Sequence, residues 1–194
     1  MIKDEDKYYI QKVLKGSPSD FSYIINKYKK IAFTLAIRIL KNREDAEEAA
    51  QDAFIKCYYA LPYFNNNSAF STWLYRIVYN CSISMLRKRN SSLDTITDDI
   101  DVNGNGIDFS VDNLSLNKLK NEEQKLYINL AFDKLNPEES LILTLYYQLD
   151  NSIEEIAKIM EISKSNVKIK LFRTRKKFKI ILDNILKNEV SNLL

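Results

Sequence analysis

The sequence predicts an all-α protein: two small helical domains joined by a flexible acidic linker, with a helix-turn-helix in the second. Three observations predict it. Gly and Pro occur three times each in 194 residues, so little punctuates the chain. Long stretches rich in Ile, Leu, Lys, Glu, Asn and Tyr repeat their apolar residues at helical spacing. One segment, 91–116, loses that periodicity and holds six Asp with no Lys or Arg. At 45% apolar residues the chain has enough hydrophobic surface to build real cores on either side of that break.

The elements follow in order. A short helix is expected near Asp4–Leu14. In "GSPSDFSYIINKYKKIAFTLAIRIL", Ser17 stands as N-cap, Pro18 at the first helical position and Asp20 three residues after the cap. Phe21, Ile24, Ile25, Tyr28, Ile31, Ala32 and Leu35 then recur on one face. "REDAEEAAQDAFIKCYYAL" carries Ala46, Ala49, Ala50, Ala53, Phe54, Cys57 and Leu61 as a continuous stripe, and Pro62 ends it. "NNNSAFSTWLYRIVYNCSISMLRKR" supplies a loop, Ser68 or Ser71 as cap, and a helix burying Phe70, Leu74, Ile77, Val78, Cys81 and Met85. These helices make a first domain, residues 1–90.

Beyond the linker, 117–194 forms a second helical domain. It starts with "NKLKNEEQKLYINLAFDKL" and continues with "NPEESLILTLYYQL", where Asn136 is a cap and Pro137 the first helical residue. In "SIEEIAKIMEISKSNVKIKLFRTRKKF", Ser152 and Glu155 form a capping box, and Ile153, Ile156, Ala157 and Met160 face inward. "EIS" is a three-residue turn. Ser163 then caps a second helix that buries Val167, Leu171 and Phe178. Two helices around so tight a turn spell helix-turn-helix.

Composition removes several kinds of chemistry. With no His in the chain, His-based acid/base catalysis, Ser-His triads and His-containing metal sites are excluded. Cys57 and Cys81 form no CxxC pair and occupy apolar positions of helices, as reduced core residues do. Apolar runs such as "LILTLYYQL" are too short to cross a bilayer, and "MIKDEDKYYI" carries acids where a signal peptide needs bases, so a cytoplasmic protein is expected.

Net charge is only +3, but its distribution is uneven: Ile162 to Lys179 holds eight Lys or Arg and no acid. In a helix-turn-helix the second helix enters the major groove N-terminus first. Short polar residues there reach base edges, and the later cations neutralise flanking phosphates. Lys164, Ser165, Asn166, Lys168, Lys170 and Arg173 sit near its exposed start. A basic terminal helix is otherwise a solvated face; the uninterrupted run favours DNA.

Asp45, Glu48 and Asp52, at i, i+3 and i+7 with Gln51 beside them, form an acidic ridge whose mutual repulsion a basic partner relieves. A solvated face near a helix start accounts for it equally well. "YFNNNSAFSTWLYRIVYN" gathers Tyr63, Phe64, Phe70, Trp73, Tyr75 and Tyr79, followed by Arg87, Lys88 and Arg89, with Arg76, Asn80, Ser84 and Arg87 along one face. Aromatics beside cations suit unstacked bases and a single-stranded backbone. Phe70 and Trp73 also read as packing residues, and the polar loop Asn65–Ser68 as the freer part.

Both domains, in this order, resemble the extracytoplasmic-function sigma factors of bacterial RNA polymerase. "EDAEEAAQDAFIKCYYAL" is similar to the family's polymerase-binding helix, "FSTWLYRIVYNCSISMLRKR" to its promoter-melting segment, and "SIEEIAKIMEISKSNVKIKLFRTRKKF" to its upstream-element reader. The resemblance implies that Asp45, Glu48, Gln51, Asp52 and Phe54 belong to a helix docking on the β′ clamp helices. It implies that the Tyr63–Ser71 loop, with Tyr63, Phe64, Asn66 and Ser68, captures a flipped base of the minus-ten element, with Trp73, Arg76, Asn80 and Arg87 supporting strand separation. It implies that Lys164, Ser165, Asn166, Lys168, Lys170 and Arg173 contact the minus-thirty-five element, with Arg175, Lys176 and Lys177 nearer the backbone. The partners implied are core RNA polymerase, through the β′ clamp helices and the β flap, promoter DNA, and an anti-sigma factor. No cofactor, metal, membrane insertion or enzymatic activity is implied. The chain departs from the family at Glu161, where the turn usually carries Gly, and at Ile169 and Thr174, which replace a small polar and a small apolar residue.

"DIDVNGNGID" imitates the first half of a calcium loop through Asp99, Asp101, Asn103 and Gly104, yet Ser110 stands where a bidentate Glu is needed. Two competing functions remain: an autonomous helix-turn-helix regulator, which needs no acidic docking ridge, and a metal-dependent nuclease using paired carboxylates. The acid clusters lie on a solvated ridge and a structureless linker, which weighs against the second.

Overall fold

The computed structural model describes residues 4–93 and 122–192, and every element among them is helical. The first unit consists of α1 (Asp4–Leu14), α2 (Phe21–Leu40), α3 (Arg43–Ala60) and α4 (Phe70–Leu93). The second consists of α5 (Glu122–Asp133), α6 (Pro137–Leu143), α7 (Ile153–Met160) and α8 (Lys164–Asn192). The acidic segment and its calcium-loop imitation lie outside the described residues, except that 91–93 close α4. Polar Asn90 and the residues after it break the apolar pattern without ending the helix, because their helix propensity is only moderately poor.

In the first unit α2, α3 and α4 pack against one another. Ile24, Leu35, Ile39 and Leu40 of α2, the alanine stripe and Cys57 of α3, and Phe70, Leu74 and Val78 of α4 are buried. Each large aliphatic side chain so buried contributes about 1.5–3 kcal/mol relative to exposure. The small stripe of α3 lets its neighbours approach closely, so the orientation of its opposite face is tightly set. α1 is fastened onto α2 by polar contacts. The buried Asp6 carboxylate accepts from the Tyr28 hydroxyl at 2.7 Å and from Lys27 Nζ, and the rings of Tyr9 and Tyr23 stack at 3.8 Å.

Helix entry differs from the sequence expectation at two places. The Ser17 side chain makes no capping bond; its carbonyl accepts the Asp20 amide at 3.2 Å in a short 3-10 turn, Pro18–Asp20, that precedes α2. Gly16, at φ +99, turns the chain into it. α4 starts at Phe70 with the Trp73 amide bonded to the Ala69 carbonyl at 3.1 Å, so Ala69, rather than Ser68 or Ser71, occupies the cap position.

In the second unit α5 and α6 pack on α8. Ala131, Phe132, Leu141 and Ile142 are buried, as are Val167, Leu171 and Thr174, and the rings of Phe132 and Phe178 lie 5.1 Å apart. Asn136 and Glu139 form a reciprocal capping box at the start of α6. The run expected as one helix after Pro137 widens instead into a π turn at Thr144–Gln148. There the Thr144 hydroxyl donates to the Ser140 carbonyl at 2.9 Å, a back-bond that loosens the regular ladder.

Candidate functional site

The outward face of α3 is set by its start and its stripe. Asn42 caps the helix, its side-chain oxygen accepting the Asp45 amide at 2.9 Å. Burial of Ala46, Ala49, Ala50, Ala53 and Cys57 then leaves Glu48, Gln51 and Asp52 exposed on the opposite side. Two expected members stand elsewhere. Asp45 is half-buried and takes Arg89 Nη1 of α4 at 3.0 Å, while the same nitrogen donates to the Leu40 carbonyl at 3.3 Å. Its charge is thus met from within the unit. Phe54 is 8% exposed and completes the inward stripe, so it supports the helix rather than forming its outer surface.

The same face continues into two residues that the sequence reading passed over. Ile55 and Tyr59 are 56% and 73% exposed, and at i+3 and i+7 from Asp52 they prolong the ridge as an apolar patch. The 3.6-residue period puts both opposite the alanine stripe, which is the signal that finds them.

Past a second 3-10 turn, Leu61–Tyr63, the loop carries Tyr63 almost fully exposed. Phe64 and Trp73 are half-buried: Phe64 lies 4.9 Å from the Trp73 ring and edge-on to Phe70 at 5.5 Å, and Phe70 meets Tyr28 at 5.8 Å. These rings pack as one cluster, leaving part of each of Phe64 and Trp73 at the surface. The loop above them is shaped by asparagines. Asn66 takes a left-handed backbone, φ 60, which Asn tolerates, and the Asn65 side chain accepts the Asn67 amide at 3.2 Å. Ser68 is half-buried, while Arg76, Asn80 and Arg87 follow Trp73 along one side of α4 as exposed residues.

In the second unit, Ser152 and Glu155 form the expected capping box, and the turn is the expected Glu161–Ile162–Ser163. Glu161 holds the left-handed conformation at φ 56, ψ 40, and the Ile162 amide reaches the Ala157 carbonyl at 3.1 Å. Ser163 Oγ accepts the Asn166 amide at 3.2 Å and starts α8. With Val167, Leu171 and Thr174 inside, Ser165, Asn166, Lys168 and Arg173 face outward.

The cations of α8 are not equivalent. Lys164 pairs with Glu154 at 2.9 Å, Lys170 with Glu138 at 2.7 Å and Lys177 with Glu139 at 2.7 Å. A hydrogen bond from Lys164 holds the Glu154 carboxyl below its ordinary range. Arg175 lies about 6.0 Å from the rings of Tyr146 and Tyr147. Lys168, Arg173 and Lys176 are exposed.

Comparison with known proteins places both units in one family. Residues 24–92 match Sigma-70 region 2 and residues 125–178 match Sigma-70 region 4, the two parts of a sigma-70 type transcription initiation factor, in that order. The chain is 31% identical to the ECF RNA polymerase sigma-E factor of Escherichia coli strain K12, across 88% of this chain and 90% of that one. It is 30% identical to the ECF RNA polymerase sigma factor SigW of Bacillus subtilis, across 87% of this chain and 92% of that one. In fold it is similar to the sigma factor RpoE of Bartonella quintana, solved in complex with the anti-sigma factor NepR. The TM-score is 0.66 at 20% identity, covering 84% of this chain and 97% of that one. The chain belongs to the extracytoplasmic-function sigma factors.

Proposed function

We propose that the first unit docks on the β′ clamp helices through Glu48, Gln51 and Asp52, extended by Ile55 and Tyr59, and opens the minus-ten element with the Tyr63–Ser68 loop and α4. The second unit grips the minus-thirty-five element through α8 beside the β flap. The observation that carries this reading is the pairing, in one chain, of an acidic-then-apolar outward face on α3 with a basic outward face on α8. An acidic ridge suits a basic partner surface, and the adjoining Ile55 and Tyr59 supply the apolar anchor that such interfaces need. Asp45 contributes by bracing α3 against Arg89.

The factor acts by binding rather than catalysis, in the cytoplasm, where polymerase and promoters are. Among the described residues no helix is long and apolar enough to cross a membrane. An anti-sigma protein is the third partner, a role supported by the complex in which the Bartonella quintana neighbour was solved.

Run-off transcription with purified core polymerase on genomic fragments tests this reading, comparing wild type with Asp52→Arg and with Lys168→Glu/Arg173→Glu. Specific transcripts that both variants lose are expected. No transcripts, with unaided sequence-specific DNA binding, would instead mark an autonomous regulator.

A further inference from the structure

The outward surface of α8 has an unusual middle. Opposite the buried line of Val167, Leu171 and Thr174, the helical period places Ser165, Ile169, Phe172 and Lys176 in a row. Lys164, Lys168 and Arg175 flank that row on one side, and Lys170, Arg173 and Lys177 on the other. In the middle stand two large apolar side chains, Ile169 at 49% and Phe172 at 61% exposure, with Lys176 Nζ 5.6 Å from the Phe172 ring.

A helix carried into the major groove by cations on its two flanks presses its central row on the groove floor. That floor offers hydrogen-bonding edges at every base pair, and thymine alone adds an apolar feature, the C5-methyl beside its O4 acceptor. An isoleucine pressed beside that methyl gains apolar contact area, whereas at a G·C pair it covers hydrogen-bonding edges with no methyl in return. We propose that Ile169, with Phe172 one turn further on, reads thymine methyl groups of the upstream promoter element, so that this factor selects A·T pairs at the steps facing them. The inference rests on the reading of α8 as the upstream-element helix and adds the base class it selects. The flanking cations then position the helix on phosphates and carry little of the choice.

The test uses the full chain assembled with core polymerase, on a promoter fragment obtained by run-off transcription. Each thymine of the upstream element, on either strand, is replaced singly by deoxyuridine, which removes the methyl and nothing else. Wild-type holoenzyme should lose about three- to fivefold in affinity at one or two positions, the size expected for one buried methyl group. Ile169→Ser should abolish the thymine–uracil difference at one of these positions while overall helicity stays unchanged. Uniform indifference of wild type to deoxyuridine would overturn the proposal. So would Ile169→Ser retaining full discrimination and weakening retention of core polymerase instead, since the apolar row would then face protein. Failure of the underlying reading looks different: Lys168→Glu/Arg173→Glu would leave dependence on the upstream element intact.

Discussion

Glu161 ends α7 in a conformation that glycine adopts freely and glutamate adopts at a cost of about 1 kcal/mol. Glu161→Gly should therefore stabilise the second unit by about that much, seen as a rise of several degrees in its thermal midpoint by calorimetry. At Cys57 burial pushes the thiol up to about 12, and burial likewise raises that of Cys81. Both should resist thiol reagents in the native state near pH 8 and react on unfolding. The stability linked to Cys57 is fully present below the ordinary thiol value near 9 and is lost as pH rises toward 12, because the unfolded chain ionises first. Alkaline titration of far-ultraviolet dichroism checks this. Such residues were legible in the sequence because their causes are local: a cap is read from its neighbours, and a stripe from its period. Asp6 was not, since its partners Lys27 and Tyr28 lie on another helix. Asp6→Ala, which removes the anchor of α1, should cost about 3 kcal/mol or more by the measure of other broken buried pairs.

Among elements, α3 was readable in its buried face and misread in part of its exposed one. Alanine spacing declares the stripe, and whatever lies opposite is surface; that logic also exposes Ile55 and Tyr59, which a search for charge overlooked. The pairing of Asp45 with Arg89, 44 residues away, could not be read without the α3–α4 packing. Asp45 and Asp52 should therefore respond differently. Asp45→Asn should lower the unfolding midpoint while leaving polymerase affinity within about twofold. Asp52→Arg should leave stability unchanged and weaken core binding tenfold or more, as truncation of an interface hot spot does. Fluorescence anisotropy with labelled protein measures both. The helix-turn-helix was legible almost to the residue, since capping boxes and a short turn are local; the division of α8 into a central row and two flanks needed its buried face.

For the whole molecule, the proposed function gives each unit a modest DNA-binding surface, and specificity is then expected when polymerase presents both to the same promoter, as linked weak sites do. The free chain should accordingly bind promoter fragments far more weakly than the holoenzyme, by gel shift at equal salt. The carboxylates of Glu138, Glu139 and Glu154, each within 2.9 Å of a lysine of α8, bear on how that binding responds to salt. A polyanion engaging Lys164, Lys170 or Lys177 displaces a tethered carboxylate instead of shedding condensed cations against an unpaired one. The slope of log affinity against log salt should then be shallower than eight cations imply, and Glu138→Gln with Glu154→Gln should steepen it toward the full count, by about one unit for each lysine released. The helix with the densest run of cations thus comes with part of its own ionic atmosphere attached, and its proposed grip on DNA should be buffered against changes in the salt around it.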